Sequence, residues 1–383
     1  MRNSGALMPE RIMFTMGDIS CAEGAIAAGC RYYAGYPITP ATEIAEWMSI
    51  RMPEIGGAYV QFEDEIASIT SVIGSSWTGV KAMTATSGPG ASLMLEAVGL
   101  AVMTETPLVL VNIMRGGPST GQPTRGQQGD VMQAKWGSHG DYQIIALTPA
   151  SVQEMFDQTV TAFNLSEQFR TPVFILADEI VGHMREKLII PDQKDIKLVE
   201  RKLADVDPSE YLPFKPDENL VPPMALFGSK YQFYATGLTH DQRGYPTDSD
   251  SAQIELVTRL SEKITRNADR ITDLERFLLD DADIAVVAYG TPSRSAKRAI
   301  RDARAEGINA GMLRLKTVWP FPDDAIADLA TKVKHIIVPE MNLGQVYYMV
   351  KAAAAPTPVH SMTKPAGMPQ LPNEILDKIR LLS

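Results

Sequence analysis

The first ~195 residues alternate short apolar runs with helix-like runs, and this alternation limits the fold more than anything else in the chain. Strands are predicted over 31–35, 58–62, 81–86, 108–113, 143–147 and 173–177. Helices are predicted between them over 66–77, 91–104 and 151–167. The first two are rich in small apolar residues, as buried helices are. The third places Val152, Met155, Phe156, Val160 and Phe163 on one face. The pattern predicts an α/β domain: a parallel sheet with helices on both faces.

From about residue 191 the composition changes. Proline and acidic residues crowd DPSEYLPFKPDENLVPP, which is poor material for a regular element. A charged helical run over 251–279 follows. A second α/β unit opens near Asp283 with the buried-strand run IAVVAYG, an amphipathic helix over 292–306 and the strands INAGMLRL and VKHIIVPE. The expected division is a first domain over 10–195, a connector with one helix over 196–280 and a smaller α/β domain over 281–383.

Several function classes fall away on composition. The net charge of −10 argues against nucleic acid and against an anionic membrane surface. The segment MRNSGALMPER has no apolar core of signal-peptide length, and no run of about 18 apolar residues occurs, so a soluble cytoplasmic protein is expected. Cys21 and Cys30 are the two cysteines, nine residues apart in a helix-like segment and too distant for a disulfide. The five histidines show no metal-ligand spacing, so no metal is expected on this chain.

In open α/β sheets, ligands bind beyond the carboxyl ends of the strands. Four such ends in the first domain carry unusual residues. In AGYPITP, Thr39 is expected to cap a helix that has Pro40 at its first position, presenting a positive helix end to a small carboxylate. In QFEDEIAS, a carboxylate turned inward would have a raised pKa and could share a proton with a nitrogen base; composition does not choose between Glu63 and Glu65. In TATSGPGAS, Gly88 and Gly90 allow close backbone approach, yet the segment is neither a Walker loop nor a dinucleotide fingerprint. After the strand PLVLVNIM, Arg115 is placed to clamp a carboxylate, or to pair with a structural acid. An anion-binding helix end, an arginine and an inward acid suit a small oxoacid better than a nucleotide.

The segments AGYPITPATEIAE, FEDEIASI, TATSGPGASLM, RGGPSTGQPT, QGDVMQAKWGSHGD and TPVFILADEIVGHM together resemble the alpha subunit of 2-oxoacid:ferredoxin oxidoreductases, and its 2-oxoglutarate branch most of all. The resemblance implies a thiamine diphosphate-binding fold. The first domain would be its pyrimidine domain, and the last would be like the transketolase C-terminal domain. The implied reaction is oxidative decarboxylation of 2-oxoglutarate with coenzyme A to succinyl-CoA and carbon dioxide, electrons passing to ferredoxin. Carried over by motif, Glu65 would be the catalytic acid that bonds the aminopyrimidine ring and promotes its imino form. Thr39 and Arg115 would bind the substrate, and Tyr36, Pro37 and Ile38 would flank the cofactor.

No GDG motif for a diphosphate-bound Mg2+ occurs in the chain, nor do the cysteines of an iron–sulfur cluster. The resemblance therefore implies a beta subunit that supplies Mg2+, the diphosphate-binding domain and a [4Fe-4S] cluster. Gamma or delta subunits are further possible partners, in an (αβ)2 or larger heteromer that is inactive without the beta subunit. The absence of a gamma-type domain before the first strand fits a separate gamma subunit or none. The alternatives are the same chemistry on pyruvate, branched-chain or aryl oxoacids, and a non-catalytic assembly subunit. Arg125 and His139 are the two cations considered for a second substrate carboxylate.

Overall fold

A computed structural model describes residues 10–365 and 367–383; most of the segment considered above as a leader lies outside them. In chain order the first part contains β1 (Arg11–Met16), α1 (Gly17–Ala27), β2 (Tyr32–Gly35), α2 (Thr42–Glu54), β3 (Ala58–Gln61) and α3 (Glu65–Trp77). Next come β4 (Ala82–Thr86), α4 (Gly88–Met103), β5 (Leu108–Gly116), β6 (Gln122–Gly126), α5 (Val131–Trp136) and β7 (Ile145–Leu147). It ends with α6 (Val152–Phe169), β8 (Pro172–Asp178), α7 (Glu179–His183) and β9 (Arg185–Ile190).

The central strands run parallel in the order β7-β8-β5-β4-β2-β3. Residues along each strand alternate between two cores. In β5, Leu108, Leu110 and Met114 join the core under α3 and α4, while Val109, Val111 and Ile113 join the core under α1, α2 and α6. In β8, Phe174 and Leu176 face the first core and Val173, Ile175 and Ala177 the second. A strand covered on both faces has no polar side to show, which is why its sequence is continuously apolar. The α/β fold read from the alternation is the one observed.

Two features differ from the expectation. β1 and β9 form a separate antiparallel pair beside α1, from RIMFTM and REKLII, neither of which is a continuous apolar run. The helical run expected over 251–279 is interrupted. It contains α8 (Asp250–Thr265), the short α9 (Ala268–Ile271) and β10 (Leu274–Phe277). The Asn267 side chain donates to the Lys263 carbonyl at 2.9 Å where α8 stops, and Leu274–Phe277 pairs antiparallel with the Met312–Leu315 stretch.

The rest comprises β11 (Ile284–Ala288), α10 (Pro292–Ala305), β12 (Ala310–Leu315), β13 (Thr317–Trp319), α11 (Asp323–Ala330), β14 (His335–Glu340), α12 (Gln345–Ala353), β15 (Val359–Thr363) and α13 (Pro372–Leu382). The second sheet has the order β10-β12-β11-β14-β15. One of its faces, through Ile284, Val286 and Ala288, packs on α10 and α13; the other, through Ala285 and Val287, joins the α3/α4 core of the first sheet. β13 leaves the second unit altogether and pairs antiparallel with β7 at the edge of the first sheet. Among the described residues, no helix is long and apolar enough to cross a membrane.

Candidate active site

The ends of β2, β3, β4 and β5 lie along one edge of the first sheet. After β3, Asp64 caps α3 by accepting the Ala67 N–H at 2.8 Å. That cap fixes the register, so that Glu65 takes the first helical position and is buried, 4% exposed, while Glu63 stays in solvent. Burial raises the Glu65 pKa and the neighbouring Asp64 charge adds to this, against a local backbone hydrogen bond that lowers it. The carboxyl group lies against the start of α4. A Cβ at Gly90 would collide with the Glu65 carboxylate and with the Thr86 hydroxyl, so only glycine leaves room there. The Thr86 and Ser87 hydroxyls beside it are buried and make no hydrogen bond.

Arg115 extends from β5 and is buried. Among the described residues it is not paired with an acid; it donates to two main-chain carbonyls, Thr39 at 2.6 Å and Thr120 at 3.1 Å, and its Nε has no partner. Burial lowers its pKa, partly offset by Asp130. Asp130 in turn accepts from the Asn112 amide at 3.0 Å, and the Asn112 oxygen accepts the Gly88 N–H at 3.2 Å. The β4–α4 turn thus has Glu65 against its Gly90 end, with Asn112 holding its Gly88 end.

Thr39 does not cap a helix. The Ala41 N–H donates to the Ile38 carbonyl at 2.9 Å, closing a turn before the helix, so α2 starts at Thr42 with Ala41 in the cap position and no side-chain cap. The Thr39–Pro40 peptide is cis. The contribution of Thr39 to the observed network is its main-chain carbonyl, held by Arg115. Tyr36 is 42% exposed, Pro37 is exposed and Ile38 half-buried, so this loop forms an open rim.

A cavity of about 850 Å3 opens between the Gly88–Pro89 turn, the loop after Arg115 and residues Asn342–Gln345 of the second unit. The last of these went unrecognised in the sequence. Gln345 donates to the Gly129 carbonyl at 2.5 Å and accepts the Met132 N–H at 2.9 Å, and Asn342 donates to the Gln128 carbonyl at 2.7 Å. Their signal was the polar EMNLGQ stretch following a buried strand, the same strand-end rule applied to the second sheet. His139 is exposed and does not line this cavity. Arg125 lines a separate space of about 500 Å3 with Lys364.

A buried carboxyl lies against the Gly90 end of the β4–α4 turn, beside two unpartnered hydroxyls, and a buried arginine holds the Thr39 carbonyl of the open rim. This arrangement suits a neutral nitrogen ring against Glu65 and a small anion near Arg115.

Comparison with known proteins gives a consistent picture. Residues 23–259 match the family model for pyruvate flavodoxin/ferredoxin oxidoreductase, thiamine diphosphate-binding, and residues 282–375 match that for pyruvate:ferredoxin oxidoreductase core domain II. The chain is 54% identical over 368 residues to the 2-oxoglutarate synthase subunit KorA of Methanothermobacter marburgensis, covering 96% of this chain and 98% of that one. A solved 2-oxoglutarate:ferredoxin oxidoreductase from Magnetococcus marinus, with 2-oxoglutarate, coenzyme A and succinyl-CoA bound, superposes with a TM-score of 0.93 at 34% identity. The match covers 97% of this chain and 65% of that one. A split-gene transketolase, in an inactive tetramer, shares the fold at a TM-score of 0.54 and 11% identity, covering 95% of each chain.

Proposed function

The chain belongs to the pyruvate flavodoxin/ferredoxin oxidoreductase family, and on that premise we propose that it is the alpha subunit of a 2-oxoglutarate:ferredoxin oxidoreductase. The enzyme converts 2-oxoglutarate and coenzyme A to succinyl-CoA and carbon dioxide, and the two electrons released pass to ferredoxin. The observation that carries the reading is Glu65, a buried carboxyl with a raised pKa set against Gly90, inside a chain 54% identical to a 2-oxoglutarate synthase subunit.

Thiamine diphosphate, when bound, supplies the carbon nucleophile and the electron sink that decarboxylation of a 2-oxoacid requires. The residues here fit its aminopyrimidine: an inward acid, unpartnered Thr86 and Ser87 hydroxyls, and an alpha carbon with no side chain at Gly90. Glu65 would hold a proton against the ring nitrogen, a role its raised pKa suits. Tyr36, Pro37 and Ile38, on the rim, would flank the cofactor. Arg115 orients the substrate carboxylate and Thr39 lies beside it. Both act from positions already tied together by the Arg115–Thr39 hydrogen bond.

Two cysteines cannot hold a [4Fe-4S] cluster. The cluster, the Mg2+ and the diphosphate-binding domain are therefore assigned to a beta subunit. It docks at the open rim in a cytoplasmic (αβ)2 or larger heteromer, with gamma or delta subunits as optional additions. The test is anaerobic purification of this chain with its partners, followed by viologen reduction with coenzyme A and a panel of 2-oxoacids. Reduction that depends on 2-oxoglutarate is expected. Reduction with pyruvate or a branched-chain oxoacid instead would overturn the substrate, and none with any oxoacid would overturn the activity.

A further inference from the structure

Below the 36–40 loop, three helices bring a second group of polar side chains together. Asp18 stands in the first turn of α1, Glu43 in the first turn of α2, and Glu179 and His183 belong to α7. Asp18 is completely buried and neither carboxylate oxygen has a hydrogen-bond partner; one buried Glu43 oxygen is likewise unpartnered. Both point at one imidazole. His183 Nε2 lies 3.4 Å from Glu43 Oε2 and 3.9 Å from Asp18 Oδ2, and donates to the Pro40 carbonyl at 3.0 Å through a proton that a bound metal would replace. One donor atom from each of Asp18, Glu43 and His183 falls within 4.8 Å of the other two.

The Glu43 and Pro40 oxygens stand from His183 Nε2 as atoms sharing one cation do, and Asp18, at 3.9 Å, has to move closer to join them. Ligands at about 2.1 Å from a metal stand about 3.0 Å apart in an octahedron and about 3.4 Å apart in a tetrahedron. On the other side of the ring, Nδ1 faces Glu179 Oε1 at 3.6 Å, the place of the outer carboxylate that orients a ligating histidine. Among the described residues, His183 is the only ion-pair partner of Asp18 and of Glu43. A buried carboxylate left in this way is costly unless a cation or a proton joins it.

We propose that Asp18, Glu43 and His183, with the Pro40 carbonyl, bind one divalent cation of borderline softness, Mn2+ or Zn2+. One imidazole among oxygen donors favours these over Ca2+ or Mg2+. The ion fastens α1, α2 and α7 to the loop whose Thr39 carbonyl receives Arg115. It is independent of the diphosphate-bound metal, which this chain has no motif to hold.

The full chain, stripped with chelator, is titrated with Mn2+ alone, and free Mn2+ is read by electron paramagnetic resonance. One Mn2+ per chain is expected, displaced by one equivalent of Zn2+, with a melting temperature that rises with metal concentration. Asp18→Asn preserves size and removes the anion; it should weaken Mn2+ binding at least about tenfold. Glu43→Gln sits on a half-buried first turn, is safe for folding, and should weaken binding in the same direction. Undiminished Mn2+ affinity in Glu43→Gln, or no saturable binding to the wild type below about 1 mM, overturns the site.

Discussion

Replacing Glu65 with alanine should cut 2-oxoglutarate-dependent viologen reduction by the complex at least about a hundredfold, as loss of a positioned proton-transfer group does. Unchanged turnover in an assembled Glu65→Ala complex would support the assembly-subunit alternative. Gly90→Ala should reach a similar loss from the opposite side, because its methyl group occupies the space of the Glu65 carboxylate. Its check is cofactor affinity alongside turnover, since a pushed carboxyl loses both. Arg115→Lys should lower kcat/KM about tenfold or more, because a single ammonium cannot hold the Thr39 and Thr120 carbonyls and a carboxylate together. At this scale the sequence was informative about chemistry and weak on geometry. The FEDE run announced an inward acid and the family motif picked Glu65 over Glu63, but the physical reason for that choice, the Asp64 cap, shows only in the fold. Thr39 and Pro40 carried good helix-start chemistry, yet a turn closed by Ala41 and Ile38 delays the helix to Thr42. The Asp18–Glu43–His183 group had no legible spacing, because its members come from three helices that meet only in the fold.

Among the elements, α8 has a role its charged sequence concealed. Arg259 and Lys263, four residues apart on one face, both reach the fully buried Glu105 just past α4, at 2.6 Å and 2.8 Å. Arg170 adds a hydrogen bond to the Glu105 carbonyl at 3.0 Å. Burial would raise the Glu105 pKa, but Lys263 and then Arg259 bring it down to about 2. A carboxyl depressed in this way contributes stability above its unfolded pKa of about 4.3, and loses it as pH falls toward 2. Denaturant titrations of the wild type should show this loss mainly between about pH 4 and pH 2. In Glu105→Gln it should be smaller, and at neutral pH the variant should be less stable by about 3–5 kcal/mol, since two buried cations lose their anion. The parallel strands were readable as apolar runs because both of their faces are covered. The β1–β9 pair was not, since alternate residues of both strands face solvent, and neither was β10, a four-residue edge strand with no fully buried residue.

At the level of the whole molecule, the proposal that this chain builds only half of the active site makes activity a property of the complex. The purified chain should give no oxoacid-dependent viologen reduction with thiamine diphosphate, Mg2+ and coenzyme A all present. Adding the cysteine-containing partner should restore it, and reduction by the chain alone would remove the need for that partner. The AGYPITP segment stood out in the sequence as a ligand-binding strand end, but the exposure of Tyr36 and Pro37 as an open rim was not legible there, because exposure is set by what the rest of the fold leaves uncovered. The crossing of β13 was equally hidden, as TVW carries no mark of which sheet will receive it. That crossing has a consequence for heredity and for engineering. Because Thr317–Trp319 completes the border of the first sheet, the C-terminal hundred residues are not a cassette. A recombinant that took them from a distant cousin would inherit a foreign selvedge on its own catalytic fabric, and exchange between lineages should succeed only where the junction carries β7 and β13 together.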